Sequence, residues 1–238
     1  MTGVGIVTAL RIEARALCAD SIRRGAGPRA GTISAVSGVG CAAAGAAARS
    51  LVDAGATALM SFGLAGGLDP SLRVGAVILP IEVISFDGAR FPTSSEWREQ
   101  LTSAVGAEGP VVVGKLLTSA HAIETVAGKA RAFRDTGAIA VDMESLAIAA
   151  IAAIHRLPFM VVRVIVDTAA DELPRAVVAA AGGGEVRLWR LIGGLLRSPL
   201  ELPALIRLAR RYRVASASLG MIARIPALAA PLPTARVA

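Results

Sequence analysis

Short apolar runs alternate along the chain with stretches in which apolar residues recur every three or four positions. The run at 3–10 predicts a buried strand, and the mixed stretch behind it a helix over 12–24. A second strand is predicted at 31–37, after which Gly38-Val39-Gly40 opens an Ala-rich helix to about residue 54. A third strand at 57–62 runs into a Gly-rich turn, Gly63-Leu64-Ala65-Gly66-Gly67. Further strands are expected at 74–86 and 110–117, a helix at 121–133, a short strand at 138–141, an all-apolar helix at 143–155 and a strand at 158–166. This alternation is that of an α/β protein with a parallel or mixed sheet.

Two amphipathic helices are expected after it. In the first, Arg187, Arg190 and Arg197 oppose Leu188, Leu191, Ile192 and Leu195. In the second, Arg207, Arg210 and Arg211 oppose Leu202, Leu205, Ile206 and Ala209, with Pro199 and Pro203 interrupting the path. Past residue 225 the chain is rich in Pro and Ala and reads as loose. The expected organisation is therefore a catalytic domain over 1–186, an Arg-rich helical extension over 187–224 and a tail over 225–238.

The 238 residues suit one α/β domain with a small appendage. A hydrophobic content of 54% excludes a disordered chain. The net charge of +7 is not spread evenly, since 187–224 holds eight arginines and one acid, Glu201. The body is thus nearly neutral. Aromatic residues make up only 3%, which argues against a nucleic-acid partner that stacks bases on aromatic rings. Cys18 and Cys41 form neither a metal spacing nor a disulfide framework, which fits a reducing compartment and no metal. The N-terminus shows no signal-peptide pattern, and no apolar run approaches the roughly 20 residues of a membrane span. A cytoplasmic location is expected.

Gly38-Val39-Gly40-Cys41-Ala42-Ala43 fits the dinucleotide-binding pattern G-x-G-x-x-A between a predicted strand and helix. That pattern also needs an acid ending the next strand, to hold ribose hydroxyls. Here the next strand ends in Ser61-Phe62-Gly63, so the turn is read as a tight connection built from small residues.

Three acids stand in apolar surroundings at predicted strand ends. Glu13 follows the first strand, Glu144 lies in Ala140-Val141-Asp142-Met143-Glu144-Ser145, and Asp167 ends Val161-Val162-Arg163-Val164-Ile165-Val166. Such acids are costly unless paired or used, and ligands of α/β sheets collect at the carboxyl ends of the strands. Singly, Glu13 and Glu144 would fit a favourable helix dipole and Asp167 a cap. Together with the Gly-rich turn, they mark a candidate site.

These residues carry a resemblance. Gly5-Ile6-Val7-Thr8-Ala9-Leu10-Arg11-Ile12-Glu13, Ser37-Gly38-Val39-Gly40, Gly63-Leu64-Ala65-Gly66-Gly67-Leu68-Asp69, Val141-Asp142-Met143-Glu144 and Arg163-Val164-Ile165-Val166-Asp167-Thr168-Ala169-Ala170-Asp171 occur in an order that resembles the purine nucleoside phosphorylase/nucleosidase superfamily. Within it, the chain is most similar to methylthioadenosine/S-adenosylhomocysteine nucleosidases. The resemblance implies a three-layer αβα sandwich around a mixed, partly barrel-like sheet, and cleavage of a purine N-glycosidic bond without cofactor or metal. It makes Asp167 the acid that protonates purine N7. It makes Glu144 the carboxylate that holds the ribose hydroxyls, with Met143 packed on the sugar. It makes Glu13 the group that positions the attacking water, with Arg163 nearby. Gly63, Leu64, Ala65, Gly66, Val141 and Asp142 complete the implied substrate-binding set. Homo-oligomers whose neighbours complete the pocket are also implied.

Related phosphorylases tend to place an Arg after the first strand, where it grips phosphate. Glu13 stands there, and a carboxylate suits water and repels phosphate. Arg11 and Arg15 lie close by, so inorganic phosphate stays open as a co-substrate while the chemistry leans to hydrolysis.

The sequence also departs from the nucleosidases. Leu64 and Val166 replace hydroxyl residues, and Ala122 stands where they carry a base-stacking Phe, with His121 beside it. Phe62-Gly63-Leu64-Ala65-Gly66-Gly67-Leu68-Asp69-Pro70 and Leu195-Leu196-Arg197-Ser198-Pro199-Leu200-Glu201-Leu202-Pro203 resemble the hopanoid-associated phosphorylases. That resemblance implies adenosylhopane as substrate, with adenine and a ribosyl or phosphoribosyl hopane as products. It gives the basic helices a role at the inner membrane surface. Two alternatives stand beside it: a salvage enzyme for a small nucleoside such as methylthioadenosine, and a non-catalytic lipid-binding module.

Overall fold

The computed structural model describes residues 3–23, 31–106, 110–173 and 202–228. Among them, ten strands form one mixed sheet. Strand β1 (Val4–Thr8) lies between β2 (Thr32–Val36) and β3 (Ala58–Gly67), parallel to both. Strand β3 also runs parallel to β10 (Phe159–Asp167), and its end pairs antiparallel with β9 (Ala138–Asp142). From β9 the sheet continues through parallel β8 (Lys115–Thr118) and β5 (Glu82–Ile84) to antiparallel β6 (Arg90–Pro92). From β10 it continues through antiparallel β4 (Val77–Ile78) to β7 (Val111–Val112). The sheet branches at β3 and is open.

Residues alternate between its faces, as the pleat requires. On one face Leu59, Val161 and Ile165 pack against α2 (Cys41–Asp53) and α5 (Ser145–Ile154), through Ala44, Ala48, Leu51, Ile148 and Ala152. On the other, Met60, Phe62, Val162 and Val164 meet α3 (Ser95–Gly106) and α6 (Leu202–Ile222), through Trp97, Leu101, Ala215, Leu219 and Ile222. This is the expected three-layer αβα arrangement. Helix α5 is apolar all round because it lies between the sheet and α2. The two helices approach so closely that a Cβ on Gly45 would sit 3.6 Å from Cβ of Ala147. Helices α1 (Arg11–Arg23) and α4 (Val126–Thr136) complete the described set.

Several expectations change. The glycine-rich stretch 63–67 is strand, not turn. The expected strand at 74–86 is two short strands parted around Pro80, and that at 110–117 is two strands parted at Gly114. At Gly114 a Cβ would come within 2.6 Å of Ile139, so a side chain has no room. Helix α4 begins at Val126 rather than 121, because Thr125 caps it, accepting from the Gly128 N–H at 3.0 Å. Helix α3 was not expected, although Trp97, Leu101 and Val105 recur at helical spacing and are buried.

The basic end also differs. The apolar face proposed around Ile206 and Ala209 is exposed, and the buried face of α6 lies further on, at Ala215, Leu219 and Ile222. Residues 225–228, expected to be loose, bury Ile225 and Leu228 against α3 and the sheet. The first basic helix (187–199) and the tail beyond 228 lie outside the described residues. Among the described residues, no helix is long and apolar enough to cross a membrane.

Candidate active site

Strand β10 is buried on both faces, which accounts for its near-continuous run of Val and Ile. Arg163 interrupts that run and is 1% exposed. Its register partner on β3 is Gly63, so no side chain occupies the space beside it. The guanidinium donates from Nε and Nη2 to Asp142 Oδ2 at 2.9 and 2.6 Å, and from Nη2 to Ser61 Oγ at 2.8 Å and Ser145 Oγ at 3.1 Å. Asp142 is itself fixed by the Thr118 hydroxyl at 2.6 Å. Glu144 Oε2 lies 3.7 Å from Nη2. Burial presses the Arg163 pKa down, but Asp142, Glu144 and Glu13 more than offset it, and the group stays charged.

A Cβ on Gly63 would lie 2.5 Å from Nη1 of Arg163 and 2.6 Å from Oε1 of Glu13. Gly63→Ala should therefore lower stability by about 1–3 kcal/mol through overpacking. Thermal unfolding checks this against Gly106→Ala, where a Cβ would meet nothing within 4 Å.

Glu13 sits in the first turn of α1 and is 2% exposed. Its Oε2 accepts from the N–H groups of Ala9 and Leu10, and its Oε1 from that of Leu64, all at 2.9 Å. The side chain thus ties the end of β1 to β3. Burial raises its pKa, against the pull of Arg163 and these amides. Beside it, between α1 and α6, opens a cavity of about 490 Å³ lined by Ile12, Arg15, Leu64, Tyr212 and Met221. Burial and the charge of Glu13 push the Tyr212 hydroxyl up to about 12.

Glu144 precedes α5, and its Oε1 accepts from the Gly40 N–H at 2.9 Å. The turn that mimics a dinucleotide motif therefore serves this carboxylate. Gly40 presents its N–H with φ 103°, where a side chain would be strained. Burial first, and then the neighbouring Asp142, raise Glu144 from 4.5 to about 7. A carboxyl with a raised folded-state pKa contributes stability that is complete below 4.5 and lost as the pH climbs to 7. Wild-type stability should accordingly fall by up to ~3 kcal/mol across that interval. Glu144→Gln should flatten the fall, as urea unfolding at several pH values would report.

Asp167 ends β10 just after a bulge in its pairing with β3, and Gly66 lies against it. A Cβ there would be 3.3 Å from the carboxylate. Its Oδ2 is ion-paired with Nζ of Lys129, from α4, which is 1% exposed. Lys129 also donates to the carbonyls of Thr168 at 2.8 Å and Asp171 at 2.9 Å. Burial raises the Asp167 pKa, and Lys129 draws it back. A cavity of about 920 Å³ between α4 and the loop behind Asp167, lined by Leu72, Val126, Phe133 and Thr168, contains none of the three acids.

The structure thus gathers Glu13, Asp142, Glu144 and Arg163 into one buried cluster and holds Asp167 beside Gly66. Met143 joins the cluster through its backbone, which donates to Glu144 at 3.3 Å and accepts from the Cys41 thiol at 3.3 Å. Leu64 lines the cavity at Glu13. Ala65 is buried in the core, and Val141, also buried, lies with Asp167 against Gly66, where a Cβ would be 3.4 Å from its Cγ1. Asp142 is the counter-ion of Arg163. His121 is exposed in the loop before α4, and Ala122 beside it is partly buried. Sequence reasoning missed Lys129, Ser61, Ser145 and Tyr212. Among the described residues, no group of three or more His, Cys, Asp or Glu is placed to hold a metal ion.

The fold has solved relatives. A 5′-methylthioadenosine/S-adenosylhomocysteine nucleosidase from Neisseria meningitidis, in complex with methylthio-immucillin-A, is 20% identical over 94% of this chain and 97% of its own, with TM-score 0.69. A Helicobacter pylori nucleosidase mutant with 5′-methylthioadenosine in its active site is 15% identical over 93% and 98%, with TM-score 0.67. Native futalosine hydrolase of the same species is 15% identical over 93% and 96%, with TM-score 0.65. No curated protein matches by sequence. A model of the phosphorylase superfamily matches residues 29–187, well over half of the chain, and the protein belongs to that superfamily.

Proposed function

We propose that the protein cleaves the N-glycosidic bond of an adenosine-type nucleoside, with Asp167, Glu144 and Glu13 on the base, the sugar and the nucleophile. The observation that carries this reading is the set of three buried carboxyl groups at or just beyond the carboxyl ends of β1, β9 and β10, two of them in one cluster with Arg163. The proton of Asp167 passes to purine N7 as the bond from the ring nitrogen to C1′ breaks, so the base leaves neutral. Glu144 accepts from the sugar hydroxyls. Glu13 takes a proton from the water whose oxygen bonds to C1′. Arg163 opposes the burial that raises both Glu13 and Glu144 by placing a charge beside each. A carboxylate at the nucleophile position favours hydrolysis over phosphorolysis, since it repels phosphate. No cofactor is required.

The finer substrate assignment is a nucleoside with an apolar group at C5′, with adenosylhopane as the best candidate. It is supported by the resemblance to hopanoid-associated phosphorylases and by the apolar side chains of Ile12, Leu64 and Met221 around the cavity at Glu13. Arg207, Arg210 and Arg213 are exposed on α6, as suits peripheral contact with the inner membrane face. We also place the active form as a homo-oligomer.

The test is adenine release from detergent-dispersed adenosylhopane and, in parallel, from methylthioadenosine, each with and without phosphate. Adenine and an unphosphorylated sugar from the lipid-linked substrate are expected without phosphate. A sugar phosphate formed only with phosphate would reverse the hydrolytic assignment. Turnover of methylthioadenosine alone would reverse the lipid assignment. Release from neither would overturn the reading.

A further inference from the structure

A lysine buried beside the proton donor invites an explanation. A buried ion pair is a poor source of stability, because desolvating two charges offsets most of their attraction. An apolar side chain at position 129 would fit the neighbourhood of α4, where Ala132 is buried and Phe133 packs against an apolar cluster. A lysine stands there instead, and three acceptors fix its ammonium: Asp167 Oδ2, the Thr168 carbonyl and the Asp171 carbonyl. One oxygen of Asp167 is thereby tethered. Among the described residues, no hydrogen bond reaches the other, Oδ1. Gly66 lets the backbone of β3 lie against the same carboxyl group.

We propose that Lys129 is a positioning residue for proton delivery, holding Oδ2 so that Oδ1 serves the leaving base and supplying the positive charge that receives the carboxylate formed when the proton departs. The proposal rests on the nucleoside-cleaving reading above. In the step, the hydrogen on Asp167 moves to the ring nitrogen, the electron pair of the glycosidic bond moves into the base, and Asp167 becomes an anion. That anion forms beside Lys129 without any movement of solvent. The other charges facing this carboxyl are Asp171, in the loop after β10, and Arg211 of α6, which pair with each other at 2.7 Å. They largely cancel, so Lys129 is the dominant partner.

The full-length protein tests this by two readouts. The first is the titration of Asp167 followed by carboxyl-carbon NMR, its signal identified by its loss in Asp167→Asn. The second is the pH profile of kcat for adenine release. Lys129→Met should move the Asp167 midpoint upward by about one pH unit or more. The alkaline limb of kcat should move up with it, while kcat falls about tenfold and KM changes little. Lys129→Arg should return midpoint and limb towards wild type. Should Lys129→Met not fold, Lys129→Gln, which keeps a hydrogen-bond donor but removes the charge, carries the same measurements. An unmoved midpoint overturns the proposal, and so does a midpoint that moves while the limb stays in place, which would leave Lys129 a structural residue. A wild-type protein that releases no base overturns the functional reading itself. An active wild type with an indifferent Lys129 overturns only the proposal.

Discussion

Asp167→Asn should lower kcat for adenine release by about 10²–10⁴-fold, the range of a general acid removed from a bond-breaking step. The substitution keeps the shape that lies against Gly66 and removes only the ionisable proton. It has a second consequence, because the partner of Asp167 is a lysine that is 1% exposed. Whenever Asp167 is ionised the two form a buried ion pair, and taking away one member of such a pair leaves the other uncompensated, at a cost of about 3–5 kcal/mol at pH values above the Asp167 midpoint. The variant should therefore be both slow and less stable. The two effects separate in the double variant Asp167→Asn with Lys129→Met, which removes the orphaned charge. Stability should recover there while kcat stays low. Single-turnover base release and urea unfolding read the two quantities independently. An Asp167→Asn protein that is folded and within tenfold of wild-type kcat would show that the proton comes from elsewhere.

That pair also marks where local reading of the chain stops. The strands and helices that build the central layers were legible because each carries its own pattern: a continuous apolar run for β10, small residues for α2, an all-apolar stretch for α5. The acids were legible because a charge in such a run is out of place: Asp167 ends β10, and Glu13 and Glu144 follow β1 and β9 at the starts of α1 and α5. What failed was whatever depended on distant partners. The stretch 63–67 reads as a turn because glycines weaken strands. It is strand because Gly63 clears room for Arg163 and Glu13, and Gly66 for Asp167. Ala65 lies among the expected binding residues in sequence, and the pleat buries its side chain. Lys129 sits in an ordinary polar stretch, 38 residues from the acid it meets. The faces of α6 were misassigned because half of that helix answers to the sheet and not to its own spacing of arginines. Only Trp97, Leu101 and Val105 in α3 offered a local signal that went unused.

Arg163→Met should destabilise the protein by about 3–5 kcal/mol near neutral pH, since it leaves a buried cluster of carboxylates without its cation. The size of the loss should depend on pH. Asp142 accepts both charge-assisted bonds from the guanidinium, Glu144 lies 3.7 Å from it, and Glu13 faces it across Gly63. Burial already raises Glu13 and Glu144, with Arg163 opposing it in both. Without that opposition their folded-state pKa values rise further. Raised carboxyl groups stabilise the fold only at pH values below their unfolded-state pKa, and that contribution drains away as the pH climbs through the folded-state one. The variant should thus lie nearest to wild type in mild acid and fall away steadily above it. Its activity should also fall in the folded fraction as the raised Glu13 is less readily the carboxylate that takes a proton from water. Urea unfolding at a series of pH values is the check. A loss of the same size at every pH would mean that Arg163 matters through its volume and not its charge. Arg163→Lys sharpens the distinction. It restores the charge, and so the shape of the pH dependence, but one ammonium does not reproduce the planar fork that spans Asp142, Ser61 and Ser145, so part of the stability should stay missing.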